Sequence, residues 1–137
     1  MITYVLDASA MLAALSNEPG ADVVDEIYEK AASGKAKLTM HKVNLLEVYY
    51  DLFRTYGKER ADEIYTEIRK LPIHIFQEIT DEVFFTAGRL KVTYKISLAD
   101  AFALAQAIVT GSEFLTGDHH EFESIVGKEP VNFHWIR

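Results

Sequence analysis

Apolar and polar positions along the chain switch repeatedly between two periods. The first stretch, Ile2–Leu6, reads ITYVL, a mostly apolar run of β-forming residues that stops at Asp7. A short run of this kind, closed by an acid and followed by small residues, predicts a buried parallel strand. Over residues 8–17 the apolar positions Met11, Leu12, Ala14 and Leu15 recur at helical spacing, and Asn17-Glu18-Pro19-Gly20 breaks the pattern. A second helix is predicted over residues 21–32, with Val23, Val24, Ile27 and Tyr28 on one side. Residues 37–40 read as a short strand. Helical patterns return over 42–56 (Val43, Leu46, Tyr49, Tyr50, Phe53) and 58–70 (Ala61, Ile64, Tyr65, Ile68), separated by Gly57 as a C-cap.

A strand follows over residues 72–76, opening on Pro72, where a missing N–H is tolerated. Helices are predicted over 81–92 and over the Ala- and Leu-rich residues 97–110, which Gly111 stops. Residues 113–116 and 131–135 are the last two strands. Strands therefore alternate with helices or helix pairs. That order predicts an α/β fold, a three-layer α/β/α sandwich around a mainly parallel sheet of about five strands. No repeat, low-complexity tract or linker divides the sequence, so residues 1–137 are expected to form a single domain.

Composition narrows the chemistry. The chain has no cysteine, which excludes a disulfide scaffold, a zinc ribbon and a thiol nucleophile. No apolar run approaches the ~20 residues of a membrane span. The first apolar stretch lacks a preceding basic region and ends at Asp7, so it reads as a strand rather than a signal peptide, and a cytoplasmic location is expected. The formal net charge of −7 argues against a general nucleic-acid-binding module, because such modules gain affinity by neutralising phosphates with bases. A nuclease whose acids hold cations is not excluded.

Asp7 and Asp118 each follow a predicted strand, which puts them on the C-terminal edge of a parallel sheet, where ligands bind in open α/β folds. Glu47 and Asp100 lie early in predicted helices, within Asn44-x-x-Glu47 and Ser97-x-x-Asp100, both of which have the form of capping boxes. Helix starts adjoin the same sheet edge. Taken singly, each acid has a purely structural reading as a cap or turn residue. Taken together, they would repel: two unit charges ~4 Å apart cost ~1 kcal/mol in water and ~4 kcal/mol at an effective dielectric near 20. A hard divalent cation removes that cost and prefers oxygen ligands.

The ordered set Leu6-Asp7-Ala8-Ser9, Asn44-Leu45-Leu46-Glu47, Ser97-Leu98-Ala99-Asp100-Ala101 and Leu115-Thr116-Gly117-Asp118-x-x-x-Phe122 resembles the PIN-domain ribonucleases. Within them it resembles the stand-alone VapC-type toxins of prokaryotic toxin–antitoxin pairs. The resemblance covers essentially the whole chain. It implies a PIN-like sheet of order 3-2-1-4-5 and a Mg²⁺- or Mn²⁺-dependent endoribonuclease acting on RNA. It assigns Asp7, Glu47, Asp100 and Asp118 to a catalytic metal-binding cluster, with Ser9 and Thr116 supporting it by hydrogen bonds. It also implies a homodimer and a small cognate antitoxin with a basic side chain for the acidic pocket. One departure is local. The family's final acid is often followed after two residues by an aromatic, whereas His119-His120-Glu121 precede Phe122 here, which leaves the division of roles between Asp118 and Glu121 open. Site chemistry then predicts direct ligation by Asp7 and Asp100, with Glu47 and Asp118 holding a second ion or orienting water.

Other residues are set lower. His119 and His120 are adjacent and do not share a face, so joint ligation is not expected. His41, His74 and His134 read as surface or core-edge residues. The aromatic stripe Tyr49, Tyr50, Phe53 and Tyr56 reads mostly as core, and Lys35, Lys37, Lys42, Arg54 and Lys58 as solvated surface. Three alternatives compete. A haloacid-dehalogenase-type phosphatase would use Asp7 at the strand end but wants a second Asp two residues on, where this chain has Ser9. A receiver domain would need a Lys-bearing strand that is absent. A PIN fold that only binds partners would keep the architecture without the catalysis.

Overall fold

Five strands form one parallel sheet in the order β3-β2-β1-β4-β5 in the computed structural model, which describes residues 1–137. The strands are β1 (Ile2–Leu6), β2 (Ala36–His41), β3 (His74–Phe76), β4 (Glu113–Thr116) and β5 (Phe133–Trp135). Helices α1 (Ala8–Leu15) and α2 (Ala21–Ala32) connect β1 to β2, and α3 (Lys42–Tyr56) and α4 (Lys58–Ile68) connect β2 to β3. Helices α5 (Asp81–Thr93) and α6 (Leu98–Thr110) cross to β4, and α7 (His119–Phe122), with a 3₁₀ turn at Glu123–Ile125, leads towards β5.

The alternating pleat splits the core in two. Tyr4 and Leu6 of β1, Leu38 and Met40 of β2 and Leu115 of β4 pack with residues of α1 to α4. Val5 and Phe114 point the other way and pack with α5, α6, Phe122 and Ile125. Because helices cover both faces, the central strands carry near-continuous apolar runs. This is the three-layer sandwich expected from the order of elements.

Several local expectations shift. The first helix ends at Leu15, and Asn17 takes a left-handed conformation at φ 51°. The third and fifth strands begin later than predicted, at His74 and Phe133. The aromatic stripe of α3 is not core: Leu45, Val48 and Leu52 face inward, while Tyr50, Phe53 and Tyr56 are exposed and Tyr49 is half-buried. The apolar period of α3 is helical, but aromatics occupy the flank and shift its apparent phase. Tyr49 still packs edge-on against Phe53 and Tyr65 along the α3–α4 seam.

His41 is not at the surface or core edge but fully buried. Its Nδ1 accepts from the Val43 N–H at 3.0 Å and so caps α3. That leaves the proton on Nε2, which donates to the Glu78 carbonyl at 3.2 Å. Burial pushes its pKa down, consistent with a neutral ring.

Candidate active site

The strand order reverses between β1 and β4. Chains that run outward in one direction and then restart beside the first strand leave a crevice at that switch point, outside the carboxyl ends of the strands. Leu6 pairs with Leu115 across it, and the Asp7 N–H donates to the Leu115 carbonyl at 3.2 Å. Asp7 and the Thr116-Gly117-Asp118 turn therefore face each other across the crevice.

Asp7 caps α1 and is almost wholly enclosed, with 1% of its surface exposed. Its Oδ1 accepts from Ser9 Oγ at 2.8 Å and from the Ala10 N–H at 2.9 Å, and its Oδ2 accepts from Thr116 Oγ1 at 2.5 Å. The two hydroxyls also organise the facing turn: Gly117 N–H donates to Ser9 Oγ, and Asp118 N–H donates to Thr116 Oγ1, each at 3.1 Å. Burial raises the Asp7 pKa to about 6, opposed by the hydrogen bonds from Thr116, Ala10 and Ser9 and aided by the Asp118 charge.

Asp100 reaches the crevice from the first turn of α6. Ser97 is the N-cap, its Oγ accepting from the Asp100 N–H at 3.1 Å, as that half of the predicted capping box requires. Burial raises Asp100 to about 7, and the charges of Asp7, Glu47 and Glu121 add to the rise. Glu47, half-buried on α3, is raised by burial and then by Asp7, Asp118, Asp51 and Glu121. Asp118 caps α7 by accepting from the Glu121 N–H at 3.1 Å.

The four acids named from the sequence thus converge electrostatically, and Glu121 joins them as a fifth. None of the five forms an ion pair within the chain. One oxygen of Glu121 is buried without any hydrogen-bond partner. The helix starts beneath Asp7, Asp100 and Asp118 partly compensate the accumulated charge.

The second predicted capping box is absent. His41, not Asn44, caps α3, and Asn44 is the third residue of the helix, in its first turn and fully buried. Its Nδ2 instead donates to the Ala99 carbonyl at 2.8 Å, tying α3 to the first turn of α6 beside Asp100. Sequence reasoning missed this tether. The signal was there in phase: Asn44 falls on the same helical face as Val48 and Leu52, the inward side.

His119 and His120 do not enter the site. His119 stacks on Trp135 with ring centroids 3.9 Å apart and bonds through Nε2 to the Arg137 backbone oxygen at 2.7 Å. His120 is exposed. Ile136 and Arg137 can lie against the α1–α2 turn at Gly20 and the Thr116-Gly117-Asp118 turn because two glycines leave room. A Cβ on Gly20 would sit 2.7 Å from Ile136 Cγ1, and one on Gly117 would sit 3.1 Å from Arg137 Cζ.

A parallel sheet of this order, with acids gathered at its β1/β4 switch point, defines a doubly wound α/β protein of the PIN type. The PIN domain family profile matches residues 4–128, and the chain belongs to that family. The structure is similar to VapBC2 from Rickettsia felis bound to a promoter DNA fragment, at 16% identity and a TM-score of 0.74, covering 97% of this chain and 98% of the other. It is also similar to DNA-bound VapBC from Salmonella typhimurium, at 12% identity and 0.76, covering 100% of both chains. A third similar structure is VapC20 from Mycobacterium tuberculosis, a sarcin-ricin loop cleaving toxin, at 20% identity and 0.65, covering 90% and 95%. No curated protein matches the chain by sequence. Family membership sets aside the phosphatase and receiver readings.

The donor set fits a hard divalent cation. It consists of carboxylate oxygens alone, it lacks an internal counter-charge, and it includes the unpartnered Glu121 oxygen. The side chains are not drawn together as they stand: no three acidic or histidine groups are close enough to hold an ion. Glu47 and Glu121 make no side-chain hydrogen bond that would have to break for them to move inward, whereas Asp7 is fixed by three.

Proposed function

We propose that residues 1–137 act as one PIN domain that hydrolyses RNA phosphodiester bonds with Mg²⁺ or Mn²⁺, as the toxin of a toxin–antitoxin pair. The observation that carries this reading is the uncompensated acidic cluster at the β1/β4 crevice. Asp7 and Asp100 are raised to about 6 and about 7, and no Lys or Arg of the chain pairs with either. Buried like charges of this kind are expensive unless a cation joins them.

Asp7 and Asp100 are the direct ligands in this reading, with Glu47, Asp118 and Glu121 completing the ring. A bound divalent ion supplies a water of lowered pKa and neutralises charge at the scissile phosphate. Ser9 and Thr116 hold both Asp7 oxygens and the backbone of the opposing turn. Asn44 sets the distance between the α3 and α6 acids. Glu47 or Asp118 orients the attacking water.

The likeness to VapBC complexes supports a small antitoxin as partner, with a basic side chain entering the acidic pocket. Such a cation would offset the same repulsion that the metal does, so inhibition and metal loading compete for one set of charges.

The test is cleavage of a panel of RNAs with Mn²⁺ or Mg²⁺, against EDTA, by the wild type and by Asp7→Asn and Asp100→Asn. Cleavage with metal only, lost in both variants while their circular dichroism stays native, is the expected result. Cutting in EDTA, or by Asp100→Asn at the wild-type rate, would sink the assignment. An inert wild type would leave the non-catalytic PIN reading in its place.

A further inference from the structure

His119 ends a column of stacked rings that leads out of the core. Phe133 and Trp135 flank His134 on β5, so they share one face of the strand. Their rings are nearly parallel, at 12° with centroids 5.3 Å apart. His119 stacks on the same indole at 13° and 3.9 Å. Two rings lying on one face of an indole at these distances would touch, and His119 and Phe133 do not, so they occupy its opposite faces. The inner end of the column is anchored: Phe133 meets the fully buried rings of Phe114 and Phe122. The outer end is open, because the His119 side chain is 43% exposed.

This geometry differs from the packing beneath it. Phe114 meets both Phe122 and Phe133 edge-on, at 81°, as core aromatics commonly do. The column instead carries a flat ring face to the surface. The edges of that outermost ring are in use: Nε2 of His119 faces the Arg137 backbone oxygen at 2.7 Å, and Nδ1 faces the Glu123 carboxylate at 3.2 Å. With both nitrogens engaged, the ring has no free edge for metal ligation or proton transfer. What it presents is a fixed outer face.

That face stands at the lip of the acidic ring. His119 follows Asp118 directly, with the two Cα atoms about 3.8 Å apart, and its N–H donates to the Gly117 carbonyl at 3.3 Å. An RNA strand entering here meets a chain of net charge −7, so attraction of its phosphates to bases contributes little. Stacking needs no charge, and every nucleobase has a face to offer. A platform already held by three other rings also loses little freedom when a base lands on it.

We propose that the outer face of His119 is a nucleobase platform, on which a base next to the scissile phosphate stacks and lengthens the column His119, Trp135, Phe133. The proposal rests on the nuclease reading of the acidic ring. His119 is then a positioning residue: it holds the strand and takes no part in breaking the bond.

The experiment compares binding of two end-labelled probes by fluorescence anisotropy with Mn²⁺ present: a single-stranded RNA, and an abasic oligonucleotide of the same length. The protein is the full chain carrying Asp100→Asn, without any partner. RNA should bind about tenfold or more tighter than the abasic strand. His119→Gln, which keeps an N–H donor but no ring, should abolish that preference; His119→Tyr, which keeps a ring, should restore it. In the chain with Asp100 intact, His119→Gln should raise KM for RNA cleavage by about tenfold, the loss falling on KM and not on kcat. Equal binding of the two probes, binding of neither, a preference that survives His119→Gln, or one that His119→Tyr does not restore each overturns the proposal. The two readings fail separately. Cleavage without base-dependent binding removes the platform and leaves the nuclease, whereas base-dependent binding by a chain that cuts no RNA leaves the stacking face and removes the nuclease.

Discussion

Replacing Asp7 with Asn removes one negative charge from the crevice while keeping the side chain's shape and its cap on α1. Asn is as good an N-cap as Asp, so its Oδ1 still accepts from the Ala10 N–H. Its Nδ2 would face Thr116 Oγ1, whose hydroxyl can turn towards Ser9 Oγ, 3.3 Å away. The electrostatic gain follows from the pKa. In the folded chain the Asp7 carboxyl is raised from the ordinary 3.8 to about 6. Below about pH 4 both folded and unfolded forms are protonated and the group costs nothing. Between about pH 4 and 6 the unfolded chain releases the proton that the folded chain still holds, so wild-type stability falls as pH rises, and above about pH 6 the loss is complete. The rise corresponds to about 3 kcal/mol. Relief of Asp100 and Glu47, both of which Asp7 raises, adds in the same direction. His41, held neutral by burial, titrates in the opposite sense but equally in both proteins, so it cancels in their difference. Urea unfolding of wild type and Asp7→Asn in EDTA, at pH values from 4 to 8, measures that difference. Asp7→Asn should gain about 3 kcal/mol over wild type across the window, and saturating Mn²⁺ should close the gap by stabilising the wild type alone. A difference curve that is flat, or that favours wild type as pH rises, would refute the account of the crevice as a store of uncompensated charge.

Three further outcomes follow from contacts already described. Asn44→Asp turns the donor to the Ala99 carbonyl into an acceptor and adds a charge beside Asp100, so it should cost about 3 kcal/mol at neutral pH, read from the urea midpoint. Thr116→Val removes a hydrogen bond that favours ionised Asp7; the acid limb of the pH–rate profile should move up by about one pH unit, with little change in the circular dichroism. Gly20→Ala places a Cβ at φ 98° and 2.8 Å from the Ile136 carbonyl oxygen, and should lower stability by about 2 kcal/mol or more in the same unfolding assay.

The parts of the molecule written in short-range pattern were legible in the sequence. Asp7 after ITYVL, and Ser97 three residues before Asp100, announce a strand end and a helix start, and the structure has both. The order of strands and helices was enough for the layered α/β architecture, while the strand order came from the family resemblance. What failed depended on rotation about an axis. Asn44-x-x-Glu47 has the spacing of a capping box, yet the helix has already started at Lys42, capped by a histidine that no cap preference would nominate. The aromatics of α3 misled for the same reason: hydrophobicity marks a flank as readily as a core, and only Leu45, Val48 and Leu52 settle the phase. Glu121 was visible as an acid, but only the α7 turn, which periodicity does not announce over four residues, brings it beside Glu47 and Asp100.

The stacking of His119 on Trp135 has a practical consequence. Trp135 is the chain's only tryptophan, and its ring lies 3.9 Å from the residue that immediately follows Asp118. The indole therefore reports on the crevice without any attached dye. Under the proposed function, an ion or a partner's basic side chain that engages Asp118 would be expected to shift the adjacent imidazole against the indole. Emission from one native fluorophore can then follow occupancy in real time, in the unlabelled wild-type protein and in variants too inactive to assay by cleavage.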